Sequence, residues 1–540
     1  MKRTYPLGLL ALILALIAGL GAMGLARGGL YADRYEGDMM HLFEIVLRIA
    51  DGQMPHLDFM TPLGLLSAWP IAVFVEAGQG IGMAVHMGQM LVALALVPAL
   101  LRAASSRFSG WLGYGFALLV VVTVMALVHG GADPNISMSM HYNRWAWGYC
   151  FVALTLAVLP PLGRDRPWLD GALIALVLVA VVMIKITYAV VLAPLTILAL
   201  LLRGARSTLV AGLVAGALAL AGLTLLLGPA YWQAYANDLI VTARSEVRPF
   251  PSRPLDQAMT APLFLGMHLL ALLAVVLLRQ SGRKGAGLVV LLLLPGFVYI
   301  TYQNFGNDPQ WSLWLALALL VLRPGPGSRN SWGWELRPAL TMVACALLAL
   351  GSPSFLNMAF SPLRHFVEDP AGYSPVFARS ARHSDFLIPN ARKYQVNLQI
   401  DGERAGGEVE GMAPDADRDA PTVLLGETLP VCSLENGMTL WFEAEARELE
   451  RSGFADGTQI LVADLLSPLP MFSDRMAWLK GGAPWRYEGV PGIKNADYLL
   501  VPTCAISPRT RRVVVDEVRA RDIPLTEVYR SPRLILLRLG

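Results

Sequence analysis

Two charged side chains stand out by type and place. Asp38 lies in Tyr35-Glu36-Gly37-Asp38-Met39-Met40-His41, soon after the first apolar run. Lys185 lies in Met183-Ile184-Lys185-Ile186-Thr187-Tyr188, between two later ones. A helix is predicted over 37–50: Pro is absent, apolar residues recur at Leu42, Ile45 and Ile49, and Gly52 supplies a stop. This amphipathic helix, expected on the membrane surface, presents Asp38 at its N-terminal end. There the helix dipole keeps a carboxylate ionised and available as a base. Asp38, His41, Ile45 and Arg48 fall along one face, and Glu44 and Arg48 form an i,i+4 pair. The alternative for Asp38 is a plain helix cap; Glu36 and His41 beside it favour chemistry. A lone ammonium at Lys185 suits a lipid phosphate, and its alternative is a lysine snorkelling from a helix end.

Other candidates lie in neighbouring polar stretches. Met140-His141-Tyr142-Asn143-Arg144-Trp145 follows Asp133 and offers Arg144 as a second anion contact, with His141 and Asn143 as substrate contacts. An interfacial aromatic belt anchored by one Arg is its alternative. Asp58 closes the stretch Gly52-Gln53-Met54-Pro55-His56-Leu57-Asp58-Phe59. Sugar hydroxyls are further served by Gln303, Asn304, Asn307 and Asp308, while Arg244, Arg248 and Arg253 fit interface anchoring equally well.

The elements that must position these groups are membrane spans. Of 540 residues, 55% are hydrophobic and 15% charged, where a soluble domain carries about 25% charged residues. The mean hydropathy is +0.51. A polytopic α-helical membrane protein is therefore expected, and no basic run suggests nucleic acid. Apolar runs place eleven spans near 6–26, 81–101, 111–129, 146–162, 171–184, 188–202, 208–228, 261–278, 287–302, 311–322 and 338–352. The first run is longer than a secretory signal core and reads as an uncleaved span.

Whether 171–202 is one helix or two is decided by charge. With a turn at Lys185, one set of loops holds Lys2/Arg3, Arg102/Arg107, Arg164/Arg166, Arg203/Arg206, Arg279/Arg283/Lys284 and Arg323/Arg329/Arg337, against three acids, Asp165, Asp170 and Glu335. Basic loops face the cytoplasm. The opposite face then receives residues 27–80, with seven acids and two histidines, together with the Lys185 turn. Leu63–Ala77, short and holding Pro70 and Glu76, reads as a helix at the outer interface.

From about Pro353 the composition turns polar. Irregular structure is expected over 353–421, then alternating strand and helix signals: strands at 422–425, 459–463, 496–501, 525–529 and 533–537, helices at 440–451 and 509–521. The expectation is a transmembrane unit over 1–352 and an extracytoplasmic α/β domain over 353–540. If that domain lies outside, Cys432 and Cys504 are free to form a disulfide.

A span, an acid, about fourteen residues, then Gly-x-x-Pro-x-x-Asp-Phe and Pro-x-Gly (Gly52, Pro55, Asp58, Phe59, Pro62, Gly64) resembles the first external loop of the GT-C membrane glycosyltransferases. Their relatives include the protein mannosyltransferases and lipid A aminoarabinose transferases. The resemblance implies a polyprenyl-phosphate-linked sugar as donor, Asp38 as general base with Glu36 beside it, and a lysine turn at Lys185 for the donor phosphate. Many relatives carry a second acid directly after the first, where this chain has Met39. The resemblance leaves open a divalent cation, Mg or Mn. A transporter of lipid-linked sugars is disfavoured because the spans hold few ionisable residues. A non-catalytic scaffold leaves the acids of 33–58 without a purpose.

Overall fold

The computed structural model describes residues 4–245, 247, 254–303, 307–400 and 420–540. Lys2, Arg3, Arg248, Arg253 and Asn304 lie outside the described residues. The chain is mostly helical, and each of the eleven apolar runs forms a helix. In order these are α1 (Thr4–Ala26), then, after the short α2 (Glu36–Ala50) and α3 (Trp69–Glu76), α4 (Ile81–Arg107), α5 (Trp111–Met125), α6 (His141–Val158), α7 (Pro167–Ile184), α8 (Ile186–Leu202) and α9 (Arg206–Leu227). Beyond α10 (Pro229–Ala243) and α11 (Leu255–Thr260) follow α12 (Pro262–Gln280), α13 (Lys284–Gln303), α14 (Trp311–Val321) and α15 (Leu336–Val367). Among the described residues, seven helices (α1, α4, α7, α9, α12, α13 and α15) are long and apolar enough to cross a membrane. α5, α8 and α14 are apolar but shorter. This is the make-up of a polytopic membrane protein.

Helix α7 stops at Lys185, whose extended backbone (φ −153°, ψ 105°) separates it from α8. Residues 171–202 are therefore two helices. The loops then sort into two sets. At one end Asp170 pairs with Arg102 and Arg107, both at 2.6 Å, and Arg203 donates to the carbonyls of Leu156 and Leu159. At the other, Asp33 accepts from the Ile136 amide at 2.7 Å, Gly64 N–H meets the Ile184 carbonyl, and Gln310 reaches the Gly130 carbonyl.

Three expectations need correction. α2 does not lie on a membrane surface: Met39, Met40, Phe43, Glu44 and Arg48 are all buried, because the C-terminal region packs over it. The last apolar helix does not end at 352. It runs through Pro353 and Pro362 to Val367, held by polar side chains on its second half. Asn357 donates to the Gly131 and Asp133 carbonyls at 2.7 Å, and Ser361 accepts from the Leu127 amide. Nor are residues 370–400 irregular. Here β2 (Tyr373–Pro375) pairs with β3 (Phe386–Pro389), which also runs parallel to β1 (Leu30–Tyr31) near the N-terminus.

After the short α16 (Asn390–Tyr394), β4 (Asn397–Ile400), β5 (Val423–Leu424) and β6 (Glu427–Thr428), the chain builds a sheet between two helices. Its parts are β7 (Cys432–Asn436), which pairs with β4, then α17 (Met438–Arg451), β8 (Ile460–Val462), α18 (Leu469–Phe472), β9 (Tyr498–Pro502), α19 (Pro508–Ala520), β10 (Leu525–Arg530) and β11 (Leu534–Leu539). The sheet order is β10-β11-β9-β8, antiparallel except for β8 against β9. Alternation along the strands divides its two faces. Leu461, Leu499, Val501, Ile535 and Leu537 share a core with Val514, Val515 and Val518 of α19. Ile460, Val462, Leu500, Leu534 and Leu536 face the core that holds Phe442, Ala446 and Leu449 of α17. Burial on both faces explains why these strands read as unbroken apolar runs. Cys432 and Cys504 are joined as a disulfide, with Cα atoms 4.6 Å apart.

Candidate functional site

Asp38 sits in the first turn of α2, and its Oδ2 accepts from Ser139 Oγ at 2.8 Å. Ser139 Oγ in turn lies 3.3 Å from His129 Nε2. Asp38, His41, Leu42, Leu63, Met140, Tyr142, Trp485 and Tyr487 enclose a cavity of about 40 Å³. Three chain segments far apart in sequence therefore meet there: α2, the start of α6 and the C-terminal region.

Both helices that supply the cavity start from strained backbone. Tyr35, before α2, has φ +64°, and Met140, before α6, has φ +52°. Left-handed non-glycine residues cost of order 1–3 kcal/mol and gather where geometry is over-determined. His56 (φ +71°) belongs to the same end. Its Nδ1 lies 2.8 Å from Asp238 Oδ2, which also accepts from the Thr61 amide at 3.1 Å.

Lys185 is linked to this cavity through Tyr142. Its ammonium lies 5.1 Å from the centre of the Tyr142 ring, within cation–π range, and donates to Asn143 Oδ1 at 2.9 Å. Gly64 brings the first loop to that turn. A Cβ on Gly64 would collide with the Met183 carbonyl, so only glycine allows the approach. The Pro-x-Gly motif is a backbone contact between the acid-bearing loop and the lysine turn.

The other predicted residues have different surroundings. Glu36, 1% exposed, makes a bidentate ion pair with Arg392, its closest contact 2.8 Å. Both its oxygens are committed, so it ties α2 to the C-terminal region rather than lining the cavity. Arg144 is fully buried and donates to the Val128 carbonyl and, at 2.9 Å, to that of Ala126. These carbonyls end α5 and the turn after it, so Arg144 caps a helix. His41 packs its ring on Trp485 with centroids 5.4 Å apart, and burial pushes its imidazole down to about 4, neutral at pH 7. His141 donates to the Ser67 carbonyl at 2.8 Å. Asp58 accepts from the Met54 amide at 2.7 Å and shapes its own loop. Asp308 accepts from Ser354 of α15, away from the cavity.

The first loop is also the seat of the C-terminal region. Met60 N–H reaches the Gly482 carbonyl at 3.0 Å, and Gly481 N–H that of Asp58 at 2.7 Å. Arg48, held by Glu44 at 2.8 Å, donates to the Leu479 carbonyl and lies 4.8 Å from the Trp478 ring. Both members of that pair are 1% exposed, and a buried pair broken on one side costs about 3–5 kcal/mol.

Sequence reasoning missed His129, Ser139, Tyr142, Trp485, Tyr487 and the His56–Asp238 pair. Tyr142 and His56 carried a signal, each lying inside a stretch already singled out. As to a metal, Met39 is fully buried and its Sδ meets the Met138 amide, and Glu36 is engaged by Arg392. Among the described residues no group of three His, Cys, Asp or Glu side chains is placed to hold an ion. The described side chains around Asp38 thus do not make a cation site. Compared with family models, curated proteins and solved structures, the chain shows no match.

Proposed function

We propose that the chain is an inverting membrane glycosyltransferase of GT-C type, resident in a bacterial inner membrane with the cavity end facing the periplasm. The donor is a polyprenyl-phosphate-linked sugar and the acceptor an envelope hydroxyl on lipid, polysaccharide or protein. One observation carries this reading. Asp38 lines a cavity walled by Tyr142, and the same ring lies against the Lys185 ammonium. An acid in α2 and a cation in the turn between α7 and α8 thus border the same tyrosine.

In the proposed reaction Asp38 takes the proton of the acceptor hydroxyl as its oxygen attacks C1 of the sugar. The C1–O bond to phosphate breaks, and its electron pair leaves with the phosphate, which Lys185 stabilises. Ser139 orients the carboxylate. Neutral His41 and the Trp485 ring offer a polar edge and an apolar face to the sugar. Glu36 and Arg144 become positioning residues, holding α2 and the end of α5. The cavity, about 40 Å³, holds a few waters at most. The stretch Trp485–Tyr487 must therefore move outward to admit a sugar.

The test is Asp38→Asn in cells, scored by sugar incorporation into envelope material, with membrane insertion checked. Loss of incorporation at normal expression is expected. Unchanged incorporation ends the assignment.

A further inference from the structure

The end of the bundle opposite Asp38 carries a second cleft, of about 310 Å³, among the ends of α6, α8, α13 and α14. Its mouth is lined by Arg203, Arg283 and Lys284, and its walls by Val158, Pro160, Ala199, Leu202, Val289 and Leu322. Gly282, at φ +81°, turns the chain so that the next two residues, both cationic, border the mouth.

The three cations are not held in ion pairs. Among the described residues none of them makes a salt bridge. The carboxylates near Arg203 are Asp165 and Asp170, and Asp170 already serves Arg102 and Arg107. Arg203 spends one Nη on the Leu156 and Leu159 carbonyls, and Arg283 reaches the Arg323 carbonyl at 3.3 Å. Both guanidiniums are thereby held in place with further donors left over.

We propose that this cleft binds an anionic phospholipid, its phosphate between Arg203, Arg283 and Lys284 and the upper part of an acyl chain along the apolar walls. Cations without a salt-bridge partner, gathered between helix ends, suit a phosphate headgroup. The walls select a lipid over a free anion, since inorganic phosphate has nothing to place against Val158, Leu202 and Val289. Leu201 and Leu202, 51% and 43% exposed, carry the apolar surface outward from the cleft. This inference does not rest on the glycosyl-transfer reading.

The test uses the full chain in detergent, titrated with short-chain phosphatidylglycerol, short-chain phosphatidylcholine or inorganic phosphate, with binding followed by native mass spectrometry. Arg283→Gln/Lys284→Gln is compared with Arg329→Gln, an exposed pairing residue of Glu335. Phosphatidylglycerol should bind saturably, at least ten times more weakly in the double variant and equally in Arg329→Gln. Phosphatidylcholine should not match it. Equal retention of both lipids, or an unaffected double variant with unchanged melting, overturns the site. Displacement of the lipid by equimolar inorganic phosphate overturns the lipid in favour of a free anion.

Discussion

Asp170 and Asp38 are both acids near the start of a helix, at opposite ends of the bundle, and they are treated in opposite ways. Asp170 is fully buried and grips two arginines, one of them also fully buried. Asp38 is only partly covered, accepts from a serine hydroxyl and faces a cavity. Two cations of α4 on one carboxylate of α7 tie those helices together and leave nothing for a substrate. A hydroxyl on one oxygen orients a carboxylate and brings no charge of its own. The same side chain is a rivet in one place and, in the proposed reaction, the base in the other. Glu36, two residues from Asp38 yet locked by Arg392, shows that the difference follows partners rather than position in sequence.

This contrast breaks most sharply at Asp38 itself. Asp38→Asn should lower turnover about 10²–10⁴-fold with unchanged melting in detergent; a matching loss of stability would make Asp38 a second rivet. Asp170→Asn should do the reverse, costing about 3–5 kcal/mol because Arg107 stays buried without its counter-charge, while turnover per folded molecule holds. If activity falls with stability spared, the two ends are not separate in role. Gly64→Ala tests whether the lysine turn belongs to the Asp38 end. Forcing the loop off the Met183 backbone should cost about 10²-fold in turnover per folded molecule and lower the melting temperature as well.

The smallest effect concerns the C-terminal region. Burial, with Asp464 nearby, pushes the Glu445 carboxyl up to about 8. Its folded form therefore holds a proton that the unfolded chain releases from about pH 4.5 upward. Stability from this group is full below that value and is lost as pH rises towards 8. Glu445→Gln should thus raise the melting temperature by a few degrees at pH 8 and leave it unchanged at pH 4. A gain at both would assign the effect to packing.

Much of this was legible in the residues. The helix carrying Asp38 follows from its apolar spacing, and the break at Lys185 follows from loop charges. Most of the strand and helix order after residue 422 follows from composition, but not β6, β7 or α18. What escaped is of long range. Nothing local announces that Glu36 meets Arg392, or that Arg144 turns to carbonyls of the preceding helix end. Pro353 reads as a boundary because the composition turns polar there and Pro disfavours a helix interior. It is passed over here because Ser354, Asn357 and Ser361 find partners in the loops around residues 127–133 and 308. The buried placement of α2 escaped for the same reason, since its partners lie 356 to 431 residues away.

That cover has a consequence for the order of biosynthesis. The first loop is among the earliest parts of the chain to leave the ribosome, yet its partners are made late: Phe386 for β1, Arg392 for Glu36, Leu479 and Gly482 for Arg48 and Met60. Such distant contacts form slowly because the loops between them must close first. Through the insertion of every intervening helix, α2 waits with its buried face uncovered. A chain cut short before about residue 480 keeps all eleven apolar helices and still has no closed site.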